Sequence, residues 1–266
     1  MCGIFGMIIK GKDLFTYNEF NKLSNNLFKY SSTRGKEAAG FALRTQNTID
    51  ILKDSGSPQD FIKKEKYKKI LKKGFNEFNN NLSKTGELIN FPLTLIGHSR
   101  LVTNGIQSQS YNNQPVIVKD LIGVHNGIIT NDQEIWRNHN EIKREYEVDS
   151  EIILKLLFKY LNKSRSFIKS TTDTFNEIKG SASIASLFTD YKNLLLATNT
   201  GSIFYVYSPN KNIFIFASER FILQKIIKSK KSKYIDNNFV IKQLKANEAM
   251  IFDLDNMKMN KFKLNS

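Results

Sequence analysis

From Ser181 onward the chain is a succession of strand-length apolar runs set two to five residues apart. They are Ala182 to Thr189, Asn193 to Thr198, Ser202 to Tyr207 and Asn212 to Ala217. After a helical stretch at Glu219 to Lys228 come Phe239 to Leu244, Glu248 to Leu254 and Lys258 to Leu264. Connections this short predict antiparallel hairpins. Upstream the pattern is mixed. Residues 2 to 10, Phe41 to Thr45, Leu93 to Ser99 and Leu121 to Ile129 read as strands. Asn18 to Lys29 has helical spacing, with Phe20, Leu23, Leu27 and Phe28 on one face. Further helices are predicted over 58 to 80, 131 to 143, 149 to 162 and 171 to 179. Many strands with helices in two clusters imply an α+β fold of packed sheets covered by helices. With no repeat and no linker, residues 2–266 are expected to form one domain.

The apolar runs are too short to cross a membrane, which takes about 20 residues. No basic segment precedes the first of them, so the start does not read as a secretory leader. A cytoplasmic protein is expected. The 40 Lys+Arg against 25 Asp+Glu give a net charge of +15. The basic residues are spread along the chain, and the densest block, Phe61 to Lys73, fits an amphipathic helix with its lysines in water. The charge is read as compositional bias, with no nucleic-acid partner expected, because a basic surface alone supplies only the nonspecific part of such binding.

The one cysteine, Cys2, excludes an intramolecular disulfide. A lone cysteine is usually a small buried hydrophobe. Directly after the initiator it has another use. If Met1 is removed, Cys2 carries its own base, a free α-amine of pKa about 7.7–8.0, close to where general-base catalysis works best. The stretch GVHNGIITN offers an oxyanion hole through the Asn126 side-chain amide and the Gly127 N–H. Asn-Gly is equally a common hairpin turn. At the end of the strand in IGHSRLVTNG, Arg100 presents a fork suited to a carboxylate, with Thr103 and Asn104 nearby, or else a structural ion pair. Asp149 in EVDSE is a partner for an ammonium group, a helix N-cap, or both. The loop TRGKEAAG carries a cation at Arg34. Together these groups describe a site for a free amino acid with a side-chain amide. Glutamine fits, and asparagine fits nearly as well.

In order, MCGIFG, TRGKEAAG, GHSRLVTNG, NNQPV, GVHNGIITN and VDSE resemble the class II, or N-terminal-nucleophile, glutamine amidotransferases. The pattern is nearest the glutaminase domains of glucosamine-6-phosphate synthase and amidophosphoribosyltransferase. SASIASLFTD, TNTGSIFYVY and FASERFIL extend the resemblance to most of the chain. It implies a four-layer αββα sandwich. It implies that Cys2 attacks the L-glutamine amide, with Asn126 and Gly127 holding the oxyanion. Arg100, helped by Thr103, would bind the α-carboxylate. Asp149 and the Gly127 carbonyl would bind the α-amino group, and Arg34 would support the N-terminal region. No cofactor and no metal are implied. The sequence departs from the glucosamine-6-phosphate synthase pattern at Leu101, Asn104 and Lys36-Glu37, and Gln114-Pro115 resembles the amidophosphoribosyltransferase and asparagine-synthetase branches. Since the chain ends near where a glutaminase domain would end, a separate ammonia-accepting synthase subunit is expected as partner. The competing expectations are an N-terminal-nucleophile amidase or acylase with another substrate, and a non-catalytic regulatory subunit with the same fold.

Overall fold

A computed structural model describes residues 2–11, 14–80, 90–101, 112–229 and 239–264. Seven strands form the first sheet. They are β1 (Gly3–Ile9), β2 (Ala38–Arg44), β3 (Ile49–Ser55), β4 (Leu93–Arg100), β9 (Ile203–Ser208), β10 (Ile213–Ala217) and β11 (Lys242–Leu244). Their order across the sheet is β11-β9-β10-β1-β4-β2-β3. The second sheet holds β5 (Val116–Val118), β6 (Leu121–Ile129), β7 (Gly180–Phe188), β8 (Asn193–Thr198), β12 (Glu248–Asp253) and β13 (Met259–Lys263). Its order is β13-β12-β8-β7-β6-β5. Each neighbouring pair among these strands is antiparallel.

Side chains alternate across a strand, and here the two parities serve two cores. Along β1, Phe5, Met7 and Ile9 face an outer core shared with the helices α1 (Tyr17–Ser31), α2 (Pro58–Phe61), α3 (Glu65–Asn80) and α7 (Arg220–Lys228). Ile4 and Ile8 face an inner core between the sheets, with Ile96, Ile122, Val124 and Phe214. On the far side, α4 (Asp132–Asn138), α5 (Ser150–Ser164) and α6 (Phe167–Glu177) cover the second sheet. Three cores between four layers make the αββα sandwich. A buried aromatic group, Phe5, Phe28, Phe41, Phe61 and Tyr67, fastens α1 and α3 to the first sheet. Each such ring contributes about 1.5–3 kcal/mol by leaving water.

Several elements differ from the sequence expectation. The stretch 58–80 is two helices, parted at Ile62–Lys64. β3 and β5 were not foreseen; β3, IDILKDS, is a half-exposed edge strand with charges on it. Of the closely spaced strands, β7–β8, β9–β10 and β12–β13 are hairpins. The connections β8 to β9 and β11 to β12 instead cross from one sheet to the other. At the first crossing, Thr198 Oγ1 accepts from the N–H groups of Thr200, Gly201 and Ser202, which turns the chain out of the second sheet.

The sheets are also joined at the end where β2 finishes. Arg44 donates to the carbonyls of Phe188 and Thr189 at the end of β7. Its guanidinium lies 5.6 Å over the Phe91 ring.

Candidate active site

The site lies at the opposite end of the sandwich, and strand parity aims its side chains. Directly before β1, Cys2 shares the parity of Ile4, and on β4, Arg100 shares that of Ile96, so both project toward the second sheet. On β6, Asn126 shares the parity of Val124 and projects toward the first. A cleft with about 320 Å³ of atom-free space opens there, lined by Cys2, Arg100, Gly127 and Asp149 together with Gln114 and His125.

The Cys2 thiol donates to the Leu101 carbonyl at 3.4 Å. Burial pushes its pKa up, opposed in part by a backbone hydrogen bond with Leu101 and by the Arg100 charge. The resting sulfur is therefore a thiol, and attack requires a base.

Asn126 and Gly127 remain inside β6, paired with Ser183 and Ala182. The hairpin-turn alternative for this Asn-Gly is excluded. Gly127 has φ +152°, and a Cβ on it would stand 1.9 Å from the Ser181 carbonyl oxygen, so only glycine fits. Asn126 is buried, and its Oδ1 has no hydrogen-bond partner among the described residues.

Arg100 is buried and donates to Asn113 Oδ1 at 2.6 Å. Burial lowers its pKa, while Cys2 and Asp149 oppose the shift. The Arg100 carbonyl accepts from the Glu37 N–H at 3.2 Å, which ties the 33–37 loop to the end of β4.

Asp149 occupies the N-cap position of α5 but caps no helix N–H. Its Oδ2 accepts from the Ile129 N–H at 2.9 Å, and its Oδ1 lies 3.9 Å from His125 Nδ1. The carboxylate therefore does not cap its helix, as one reading of the sequence expects, but is anchored to β6. The loop before it is held by Glu151, wholly buried, which accepts from the N–H groups of Glu145 and Tyr146 at 2.8 and 2.7 Å.

Arg34 stands outside the cleft. It pairs with Glu219 at 3.0 Å and lines an adjoining hollow with Leu101. Its Cβ lies 3.1 Å from where a Cβ on Gly3 would be, so it packs beside the start of β1. Thr103 and Asn104 lie outside the described residues.

Sequence reasoning missed a second ring of polar groups. Gln114, which follows Asn113 and forms a cis bond to Pro115, bonds His125 and Ser150. His125 has its pKa lowered by burial, as does His98, which is held to about 3. Both imidazoles are therefore neutral at physiological pH. The available signal was adjacency, since His125 directly precedes Asn126 and Ser150 directly follows Asp149.

Among the described residues, no group of three or more His, Cys, Asp or Glu side chains is arranged to hold a metal, and no helix is long and apolar enough to cross a membrane.

The fold and the site define the class: an N-terminal-nucleophile-type sandwich with a polar cleft between its sheets. The chain carries a glutamine amidotransferase domain of class II, and it matches the family described as "Glutamine amidotransferase domain" over residues 98–225. It is 30% identical over 200 residues to the amidophosphoribosyltransferase of Methanocaldococcus jannaschii, covering 71% of this chain and 36% of that protein. It is 27% identical over 232 residues to a glutamine–fructose-6-phosphate aminotransferase (isomerizing) of Helicobacter pylori, covering 84% of this chain and 33% of that one. Among solved structures, a glutamine phosphoribosylpyrophosphate amidotransferase from B. subtilis, complexed with ADP and GMP, superposes with TM-score 0.66 at 14% identity. That match covers 99% of this chain and 49% of the other. The chain thus spans about a third of the curated relatives' length.

Proposed function

We propose that residues 2–266 act as one glutaminase domain, which hydrolyses the side-chain amide of L-glutamine and yields glutamate and ammonia. The observation that carries this reading is the convergence on one cleft of Cys2 and Arg100 from one sheet, Gly127 from the other and Asp149 from the start of α5. With Met1 removed, the α-amine of Cys2 takes the thiol proton as the sulfur attacks the amide carbon. Asn126 and the Gly127 N–H bind the oxyanion that forms. Collapse expels ammonia, protonated by the same amine, and leaves a glutamyl thioester. Water then attacks that carbonyl, gives its proton to the amine, and releases glutamate with the thiol restored.

Arg100, with Thr103, grips the α-carboxylate through a charge-assisted fork. Asp149 and the Gly127 carbonyl hold the α-ammonium group, and Arg34 braces the start of β1 from outside the cleft. The ammonia passes to an acceptor that is a separate synthase subunit. The relatives' names, an amidophosphoribosyltransferase and a glutamine–fructose-6-phosphate aminotransferase, support an acceptor chemistry for that ammonia. A reducing, cytoplasmic setting suits a site that depends on one free thiol.

The test is turnover of glutamine beside asparagine and simple primary amides, with Cys2→Ala as control. Glutamate should form from glutamine alone and only with Cys2 present. Equal turnover of simple amides would contradict the paired amino-acid clamp and favour a general amidase.

A further inference from the structure

The pairing of β5 with β6 stops just short of the oxyanion residues. Val116 pairs with Gly123 and Val118 with Leu121, and the same register continued would set Gln114 opposite His125. The backbone leaves the ladder first. The carbonyl oxygen of Gln114 approaches β2 of the other sheet, 2.1 Å from where a Cβ on Gly40 would stand, a closeness only glycine permits. Pro115, between them in sequence, has no N–H to offer.

The Gln114 side chain takes over the vacated pairing. Its Oε1 accepts from the His125 N–H at 2.6 Å, and its Nε2 donates to the His125 carbonyl at 3.0 Å. A hydrogen-bonded antiparallel pair exchanges the same two bonds, and a primary amide carries the same donor and acceptor as a peptide group. Nε2 directs its second hydrogen to Ser150 Oγ at 3.0 Å, which also lies 3.1 Å from His125 Nδ1. His125 precedes Asn126, and Ser150 follows Asp149. One buried carboxamide therefore links the strand that carries the oxyanion donors to the start of the helix that follows Asp149.

The geometry points to Gln114 as a positioning residue: its carboxamide stands in for a β-strand at His125 and fixes the placement of Asn126 and Gly127 relative to Asp149. This role rests on the glutaminase reading above. Glutamate in its place accepts but, ionised, cannot donate. Asparagine is one methylene too short, and methionine neither donates nor accepts.

The experiment compares the full chain with Gln114→Met and Gln114→Glu. Three quantities are read: amide hydrogen exchange at His125, kcat and KM for glutamine, and the rate at which iodoacetamide alkylates Cys2. Alkylation uses neither an oxyanion hole nor an amino-acid clamp. The His125 amide should exchange about five- to tenfold faster in the variants, the loss of one ordinary hydrogen bond. kcat/KM should fall about 10–100-fold, with kcat carrying part of the loss, because small displacements of catalytic groups are this costly. Cys2 alkylation should be unchanged. If Gln114→Met does not fold, Gln114→Glu, which keeps the size and the acceptor, carries the comparison. Unchanged exchange at His125, unchanged hydrolysis per folded molecule, or alkylation lost in step with hydrolysis would each overturn the proposal. Wild-type protein that fails to hydrolyse glutamine would sink the glutaminase reading instead, and the exchange measurement would still decide whether Gln114 makes the bridge.

Discussion

Two buried arginines stand at opposite ends of the β2–β4 pair, where Arg44 is registered with Thr94 and Arg100 with Ala38. Both are 4% exposed. Arg44 is answered by main-chain carbonyls of the other sheet and by the face of Phe91. Arg100 donates to a neutral amide oxygen and lines a cleft that also holds Cys2 and Asp149. Equal burial thus serves two ends. One arginine closes the sandwich by satisfying backbone, and the other lines the cleft, where on the proposed reading it meets a ligand carboxylate. What distinguishes them is the company of each guanidinium, and depth alone does not.

The largest effect should come at the site end. Cys2→Ala should lower glutamine hydrolysis by about 10⁴-fold or more, the scale of losing a nucleophile, with the melting temperature unchanged by calorimetry. Next, Arg100→Ala should raise KM for glutamine about 10–100-fold, matching about 1.5–3 kcal/mol for hydrogen bonds to a charged group, with little change in melting. Arg44→Met should reverse that pattern. It leaves buried carbonyls unpaired, costs about 1–3 kcal/mol in a urea titration, and leaves KM alone. If Arg100→Ala melted the protein as Arg44→Met does and spared KM, both arginines would be clasps and the contrast would fail. The smallest effect belongs to Arg34→Ala. Its pairing with Glu219 is part-exposed, so the cost should be at most about 1 kcal/mol after solvent screening and smaller still in high salt.

Much of the site was legible because its parts depend on local rules. Strand parity puts Cys2, Arg100 and Asn126 on inward faces, and residue chemistry names what each can do there. Asp149 was legible as a carboxylate at a helix start, but its bond to the Ile129 N–H depends on a contact across 20 residues of sequence that no local pattern encodes. Gln114 was hidden for the same reason, since its partners are fixed by register and sheet order. The fold shows the same division. The strands after Ser181 were foreseen, yet spacers of four and three residues join β7 to β8 as a hairpin and β11 to β12 as a crossing between sheets. Spacer length cannot separate these outcomes, because both place successive strands side by side and differ only in which layer receives the second. The short β5 and the charged edge strand β3 carry too little apolar periodicity to register as strands.

On the proposed mechanism, Cys2 attacks with its own α-amine as the base. This step is tested most directly by the intact mass of the purified chain before and after treatment with 6-diazo-5-oxo-norleucine, followed by peptide mapping. The expected result is a polypeptide that begins at Cys2 and acquires one adduct, on that sulfur, with glutamine protecting against labelling. A chain that keeps Met1 yet hydrolyses glutamine, or a Cys2 that the glutamine analogue leaves untouched, would contradict it.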